Sequence, residues 1–162
     1  MAKNKEEKTN VMRVLEQKKI AYAAHSYPHE EGVAVDGVTV AQSMGFDPAI
    51  VFKTLVARGA SGQYYVFDVP VAESLELKKA AKAVGEKSIE MIHQKELLPL
   101  TGYVHGGCSP VGMKKLFPTV IHKTAEDLPQ MIVSAGKIGY QVELSPRDLA
   151  AIVRAEFADI TV

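Results

Sequence analysis

Two apolar runs near the middle of the chain show the clearest pattern of hydrophobic and polar positions. Residues 51–57 and 63–69 are rich in β-branched and aromatic side chains, and the stretch Arg58-Gly59-Ala60-Ser61-Gly62 separates them. Short apolar runs divided by a glycine-containing turn are typical of a β-hairpin. The pattern therefore predicts two antiparallel strands that pair with each other.

Apolar residues at helical spacing, with capping residues and glycine or proline stops, predict the helices. They are expected at residues 6–19, 38–44, 74–84, 93–98 and 146–155. Further short strands are expected at residues 21–27, 88–92, 119–122, 131–133 and 140–144. Ser74 is expected to cap the third helix, Pro99 to end the fourth, and Thr124 and Ser145 each to begin a capping box. This irregular interleaving predicts an α/β fold of the α+β type, with a mixed sheet or barrel and helices outside it.

Length and composition indicate one domain that covers residues 1–162. Hydrophobic residues make up 47% of the chain, and 19 Lys and Arg residues balance 19 Asp and Glu residues. Zero net charge argues against tight, sequence-indifferent binding to nucleic acid. A local basic patch remains open, although a solvated lysine face is the simpler interpretation. The lysines concerned are Lys78, Lys79, Lys82, Lys87, Lys114 and Lys115.

The chain shows no sign of a membrane or secretory protein. No apolar run approaches the ~20 residues that span a bilayer, and no apolar segment follows the charged N-terminus as in a signal peptide. The single cysteine, Cys108, cannot form an intrachain disulfide. We therefore expect a cytoplasmic protein with no membrane partner.

Lys53 is a candidate functional residue because it lies within an apolar strand. Strand alternation places it on the same face as Val51 and Leu55. A lysine in such surroundings either loses its charge or offers its three N–H donors to a carbonyl, carboxylate or phosphate. An edge-strand lysine that reaches water is the simpler alternative. A Schiff-base lysine is a third possibility, but no phosphate-binding pattern accompanies it.

The glycine-rich loop, residues 101–112, holds four glycines, a proline and the single cysteine close together. Glycine lets a ligand approach main-chain N–H groups, so this loop is a candidate for anion or oxyanion binding. His105 precedes Cys108 by three residues, which raises the hypothesis of a cysteine nucleophile. A free cysteine is more often a small buried apolar residue, and sequence proximity does not make a catalytic dyad.

A second small-residue segment, Ser134-Ala135-Gly136-Lys137, follows the apolar run Met131-Ile132-Val133. A serine at a strand end can present its hydroxyl to a ligand, although the segment also fits an ordinary glycine-containing hairpin turn. The spacing of a phosphate-binding Walker A loop is absent. His25, His29, Glu30 and Glu31 lack a recognised metal-ligand spacing, so we expect neither a metal nor a cofactor. Tyr27 either lines a pocket or packs in the core.

Four motifs in this order resemble the YbaK/EbsC family of aminoacyl-tRNA editing domains. The resemblance spans nearly the whole chain, and its specificity comes from the order and separation of the motifs. They are Val51-Phe52-Lys53-Thr54-Leu55, the helix segment at residues 75–85, the loop at residues 101–112 and Val133-Ser134-Ala135-Gly136-Lys137. The resemblance implies a compact mixed β-barrel surrounded by helices.

The resemblance also implies hydrolysis of mischarged aminoacyl-tRNA in trans, most typically Cys-tRNA(Pro). The partners would be the 3′ aminoacyl-adenosine end of tRNA and prolyl-tRNA synthetase. Lys53, Gly106 and Ser134 match the family's catalytic positions, with Lys53 orienting the substrate and Gly106 supplying backbone N–H groups. In cysteine-specific members the substrate's own thiol attacks its ester, which leaves no role for Cys108. The implied substrate-binding residues are Tyr27, Thr54, Gly107, Gly136 and Gln141.

Two departures from the family pattern leave the amino-acid specificity open. Gln141 occupies a position at which a cysteine-specific member has an acidic residue, and residues 35–38 lack an aromatic found in some members. Hydrolysis of Ala-tRNA(Pro) by an activated water is therefore an alternative. A non-catalytic module that binds tRNA or a synthetase is the alternative from a different functional class.

Overall fold

The computed structural model describes residues 8–162, which form five α-helices and eight β-strands. The helices are α1 (Asn10–Gln17), α2 (Gly37–Met44), α3 (Leu77–Val84), α4 (Gln94–Thr101) and α5 (Pro146–Val153). The strands are β1 (Ala23–Ser26), β2 (Phe52–Gly59), β3 (Tyr64–Pro70), β4 (Ile89–Met91), β5 (Thr119–His122), β6 (Met131–Lys137), β7 (Tyr140–Leu144) and β8 (Glu156–Ala158). None of these helices has both the length and the apolar character needed to cross a membrane.

The strands lie in two sheets. One sheet has the order β4-β2-β3-β5-β8 and the other has the order β1-β7-β6. A parallel bridge between Val51 and Ile132 links them. The first sheet is mixed, because β5 pairs in parallel with both β3 and β8 while β2 is antiparallel to β3 and β4. The predicted α+β class is confirmed, but within the described residues the strands do not close into one barrel.

The predicted hairpin is confirmed as β2 and β3, and it separates two cores. Phe52, Val56 and Val66 pack on one side with α1, α5 and the second sheet. Ala57 and Phe67 pack on the other side with α3. Each strand therefore has two apolar faces, which explains why both runs read as almost continuously hydrophobic.

The prediction that Pro99 ends the fourth helix was wrong, because α4 continues to Thr101. Proline removes one backbone N–H donor from a helix. Bonds on both sides of it keep the last turn closed, since Gly102 N–H donates to the Leu98 carbonyl and the Thr101 hydroxyl donates to the Leu97 carbonyl. Gly102 then ends the helix in the left-handed conformation.

Two predicted helix caps were also wrong. α3 begins at Leu77 because the Glu76 carboxylate accepts the Lys78 N–H, while Leu75 forms a bridge with Thr161 and keeps Ser74 outside the helix. Thr124 lies inside a 3₁₀ helix, Lys123–Asp127, which has no side-chain cap.

Other differences from the predicted elements occur at α1, β6 and β8. Thr9 caps α1 by accepting the Met12 N–H, so the helix begins later than predicted; residues 6–7 lie outside the described part of the chain. β6 extends through the predicted turn as far as Lys137. Strand β8 was not predicted, because it has only three residues and follows directly on α5.

Candidate active site

A cavity of about 310 Å³ lies where the start of β2, the start of α2, the glycine-rich loop and the second sheet meet. Six of the eight residues singled out in the sequence line it, although they come from five separate segments of the chain. They are Tyr27, Lys53, Thr54, Gly106, Ser134 and Gln141. The wall is otherwise mainly apolar, with Val40, Val51, Phe52, Leu55, Val71 and Leu97 among its members. Small apolar clefts with a few convergent polar groups are typical of ligand sites.

Lys53 projects from β2 into this cavity and is partly buried. It forms no hydrogen bond or ion pair with any residue in the described part of the chain. Burial lowers the pKa of its ammonium group, because the charged form is poorly solvated there. Its N–H donors are therefore available to a ligand.

Thr54 and Asp68 form a buried polar pair beside Lys53. They face each other in the register of β2 and β3, and the Thr54 hydroxyl donates to Asp68 Oδ1 over 2.5 Å. Asp68 has no solvent-exposed surface, and its Oδ2 atom has no hydrogen-bond partner among residues 8–162. Burial raises the pKa of Asp68 to about 7, against the opposing effect of the Thr54 hydrogen bond.

Gly106 brings the glycine-rich loop to the edge of the cavity. Its φ angle is 90°, in the left-handed region, and a Cβ at this position would lie 2.7 Å from the Ala34 Cβ. Its backbone N–H donates to no other backbone group in residues 8–162. This N–H is consequently available to a ligand oxygen, and the role in binding that the resemblance implies for it stays a prediction.

Gly107 and Gly136, also predicted to bind substrate, do not line the cavity. The Gly107 N–H donates to the Val104 carbonyl, and a Cβ there would lie 3.0 Å from the Ile138 backbone nitrogen. A Cβ on Gly136 would lie 2.9 Å from the Tyr103 ring. Both positions need glycine because neighbouring segments pack tightly against them.

Ser134 and Gln141 face each other on β6 and β7, at the floor of the cavity. The Ser134 hydroxyl accepts the Gly136 N–H over 3.0 Å, next to an irregularity in the strand pairing. Gln141 is buried, and its Oε1 atom has no hydrogen-bond partner in the part of the chain that the structure describes. Tyr27 closes the same side and is also buried. These residues offer a hydroxyl and a free amide oxygen to a ligand.

Cys108 lines the cavity but is a poor nucleophile. Burial raises the pKa of its thiol to about 12, and the nearby charge of Asp68 adds to the increase. Since the thiolate is the reactive form, the thiol is inert at neutral pH. The pairing with His105 that the sequence left open would have to lower this pKa, whereas the structure raises it.

The histidine and glutamate cluster seen in the sequence is divided in the fold. His25 Nε2 lies 2.7 Å from Glu143 Oε1, and His29 Nδ1 lies 2.8 Å from the Tyr27 carbonyl oxygen. Within residues 8–162, no three His, Cys, Asp or Glu side chains are grouped as a metal site would require.

The sequence reasoning missed Asp68. A carboxylate within the apolar run Tyr64-Tyr65-Val66-Phe67-Asp68-Val69 breaks the pattern of a buried strand, and that break was the available signal. Buried carboxylates with raised pKa values are common at functional sites. Taken together, the cavity offers one free ammonium group, one backbone N–H and several acceptors within a mainly apolar wall. This set can hold a small polar acyl group and stabilise an oxyanion that forms on it.

Comparison with known proteins places the chain among editing domains. The aminoacyl-tRNA editing domain family matches residues 32–152, a range that includes most of the cavity. The chain is 44% identical over 162 residues to EbsC of Enterococcus faecalis, whose name describes a candidate Cys-tRNA(Pro)/Cys-tRNA(Cys) deacylase. The alignment covers 99% of this chain and 98% of that protein.

Solved structures agree with this assignment. A candidate trans-editing enzyme for prolyl-tRNA synthetase superposes with a TM-score of 0.81 at 25% identity, with 94% of each chain covered. A hypothetical protein of 20% identity shares the fold, with a TM-score of 0.82 and coverage of 94% of this chain and 99% of the other. The chain therefore belongs to the aminoacyl-tRNA editing domain family.

Proposed function

We propose that this protein removes the amino acid from mischarged aminoacyl-tRNA, and that Cys-tRNA(Pro) is its principal substrate. The observation that carries the proposal is the cavity around Lys53, where a lysine without a partner meets Thr54, Gly106, Ser134 and Gln141. Family membership and the name of the 44% identical relative support the choice of substrate.

Each polar group has a role that follows from its position. Lys53 donates to the acyl carbonyl or to the terminal adenosine and holds the ester in place. The Gly106 N–H stabilises the negative charge that develops on the carbonyl oxygen during attack. Tyr27, Ser134 and Gln141 surround the amino-acid side chain. Catalysis then rests on positioning and charge stabilisation, since the cavity contains no activated protein nucleophile.

For a cysteinyl ester, the substrate supplies its own nucleophile. Its thiol sulfur attacks the ester carbonyl, a C–S bond forms and the C–O bond to the ribose breaks. The thiol proton passes to the departing ribose oxygen, so that the products are a thiolactone and free tRNA. Cys108 has no part in this reaction, which agrees with its raised pKa.

A separate editing site is needed for a physical reason. Cysteine and alanine are no larger than proline, so a prolyl site cannot exclude them by size. Small differences in apolar contact provide only ~1–3 kcal/mol of discrimination. The cavity of about 310 Å³ is at the small end for ligand sites, as a pocket for a small aminoacyl group should be.

The test is the release of labelled amino acid from Cys-tRNA(Pro) and Ala-tRNA(Pro), measured side by side with the wild-type protein. Rapid loss of the cysteinyl ester alone supports both the substrate and the thiol mechanism. Rapid loss of the alanyl ester means that an activated water attacks and that Gln141 belongs to a pocket for alanine. Hydrolysis of neither ester contradicts the proposal and favours a binding module.

We also propose that prolyl-tRNA synthetase supplies part of the affinity for tRNA. The chain has no net charge, and Lys79 of the predicted basic patch already pairs with Asp159 at 3.0 Å. Each neutralised phosphate contributes to affinity, and a chain without excess positive charge gains little from this long-range term. Filter binding of tRNA(Pro) should therefore be weak for this protein alone and stronger with the synthetase. Tight binding that the synthetase does not improve would contradict this partner.

A further inference from the structure

Two buried acceptor atoms beside the cavity lack a hydrogen-bond partner within the part of the chain that the structure describes. They are Asp68 Oδ2 and Gln141 Oε1. Leaving a buried polar atom without a partner costs free energy, so such atoms require an explanation. Gln141 lines the cavity directly, whereas Asp68 reaches it through Thr54. Gln141 Oε1 is an acceptor, and Asp68 Oδ2 is one when the carboxyl group is ionised, so each of them then calls for a donor.

The direction of the Thr54 hydrogen bond follows from the chemistry of the carboxylate. An ionised carboxyl group can only accept, so Thr54 must donate its single proton to Asp68. The lone pairs of the Thr54 hydroxyl are then left for the cavity. An ionised Asp68 thus makes Thr54 an acceptor toward a ligand, with a negative charge directly behind it.

We propose that Asp68, acting through Thr54, recognises the α-ammonium group of the aminoacyl ester. This inference rests on the proposed function, because it assigns a contact to the same substrate. An α-ammonium group is a cationic donor, and it matches an acceptor backed by a carboxylate. Asp68 is on this account a positioning residue that fixes the orientation of the acyl group.

The charges around the cavity are consistent with this assignment. Lys53 and Thr54 are consecutive residues of β2, so their side chains leave the strand on opposite faces. Lys53 can therefore contact the carbonyl or the adenosine of the substrate while Thr54 contacts its α-amine. The Lys53 ammonium group and the substrate's α-ammonium group then remain apart. Asp36 and His105 also line the cavity but are exposed. The Cys108 thiol is neutral. Among the acidic side chains at or next to the cavity, Asp68 is the buried one, and it supplies negative charge when it is ionised.

Ligand charge and the protonation of Asp68 are coupled. Burial holds the pKa of Asp68 near neutrality, so part of the unliganded protein carries a neutral carboxyl group at pH 7. A cation bound to Thr54 favours the ionised form. The cost of burying the carboxylate is thereby offset when an ammonium group is present, which makes the pair selective for substrates that carry one.

The experiment compares two stable amide analogues of the aminoacyl-adenosine end by calorimetry. The first is 3′-deoxyadenosine with a cysteinylamino group at C3′, and the second carries a 3-mercaptopropionyl group there and so lacks only the α-amine. We expect the wild-type protein to bind the first analogue at least about tenfold more tightly, as for a hydrogen bond to a charged group. The ratio should fall to nearly one in Asp68→Asn, whose amide is neutral and can also donate to Thr54.

Variants of Thr54 and Glu86 separate a loss of ammonium recognition from a loss of folding. The affinity ratio of the two analogues should also fall to nearly one in Thr54→Val. Thr54→Ser keeps the hydroxyl and should retain the wild-type ratio. Glu86→Gln serves as a control, because it neutralises a carboxylate outside the cavity. If Asp68→Asn does not fold, the comparison of Thr54→Val with Thr54→Ser decides the question.

The outcomes separate a failure of this inference from a failure of the proposed function on which it rests. If the wild-type protein binds both analogues equally, or if Asp68→Asn or Thr54→Val keeps the ratio, recognition of the ammonium group is overturned while the proposed function stands. If the wild-type protein binds neither analogue, the proposed function fails as well.

Discussion

The hairpin of β2 and β3 has a carboxylate at each end, and the two differ in how fully they are hydrogen-bonded. At the turn, Glu86 accepts bonds from the Ser61 hydroxyl, the Ser61 N–H and the Tyr65 hydroxyl. These bonds lower its pKa. At the cavity end, Asp68 accepts one bond from Thr54 and has a free oxygen, and burial raises its pKa to about 7.

This difference separates a stabilising group from a group placed for a ligand. Glu86 is ionised with all the partners it needs, so it holds the turn against the start of strand β4. Asp68 is buried at a cost that its single hydrogen bond does not offset. Unsatisfied groups of this kind persist at sites where a ligand completes them. The contrast also predicts that the two ends respond in opposite ways to substitution.

The largest expected effect is the opposite pH dependence of stability in Asp68→Asn and Glu86→Gln. The raised pKa of Asp68 means that the folded protein keeps a proton that the unfolded chain has lost between pH 3.8 and about 7. The contribution of Asp68 to the free energy of unfolding therefore falls as pH rises through that range, by roughly 4 kcal/mol in total. Asp68→Asn removes the loss, so this variant should gain stability over wild type as pH rises toward 8.

Glu86→Gln should show the reverse sign. The pKa of Glu86 is lowered, so its contribution is present above its ordinary value of 4.5 and disappears as pH falls. The Gln variant should therefore be less stable than wild type at pH 8 and approach it at acid pH. Urea unfolding at pH 4, 6 and 8 measures both differences. If the free energy of unfolding changed with pH in the same direction for both variants, relative to wild type, the proposed difference between the two carboxylates would be contradicted.

The next effect concerns two glycines, one in the glycine-rich loop and one in the turn of the hairpin. Gly106 at the cavity and Gly62 in the turn both have positive φ angles, 90° and 94°. A Cβ on Gly106 would lie 2.7 Å from the Ala34 Cβ, whereas a Cβ on Gly62 would meet open space. Gly106→Ala should therefore displace the loop and reduce kcat/KM by about 10²-fold, the loss expected for one oxyanion donor.

Gly62→Ala is the matched control for backbone strain. It should cost roughly 1–2 kcal/mol of stability from its φ angle alone and leave kcat/KM unchanged. Deacylation rates and urea unfolding of both variants provide the comparison. An equal loss of activity in the two variants would show that strain, rather than loop position, controls the rate.

The smallest expected effect is at Cys108. Since burial raises the pKa of its thiol to about 12, the protein thiol does not ionise in the working range. Cys108→Ala should change kcat/KM by no more than about threefold between pH 7 and 9, since what remains is the packing change of one buried atom. A collapse of activity, or a lost alkaline limb in the pH profile, would restore Cys108 as a nucleophile.

Much of the fold could be predicted because local signals were strong. The apolar runs and the glycine turn identified β2 and β3, and Gly45 and Gly85 marked the ends of α2 and α3 through the left-handed conformation. Boundaries set by distant contacts were not predictable. The start of α3 depends on a bridge between Leu75 and Thr161, and the last turn of α4 is held from outside the helix by the Lys114 N–H, which donates to the Thr101 carbonyl.

The candidate site was predictable in part for a similar reason. Lys53 is chemically unusual within its apolar strand, so the sequence singled it out, whereas Gly106 was identified through the family resemblance. Gly107 and Gly136 looked the same in sequence, yet their lack of a side chain serves close packing against Ile138 and Tyr103. Asp68 was missed because its role depends on facing Thr54 across the hairpin, and that register is a property of the folded chain.

The most direct test of the central claim is single-turnover deacylation of Cys-tRNA(Pro) by Lys53→Ala, with Lys95→Ala as its control. Lys53 lies in the cavity, whereas Lys95 is an exposed lysine of α4 outside it. We expect Lys53→Ala to lose at least about 10²-fold in rate, as for removal of a group that stabilises the transition state, while Lys95→Ala matches wild type. Equal rates for Lys53→Ala and the wild-type protein would contradict the assignment of this cavity as the editing site.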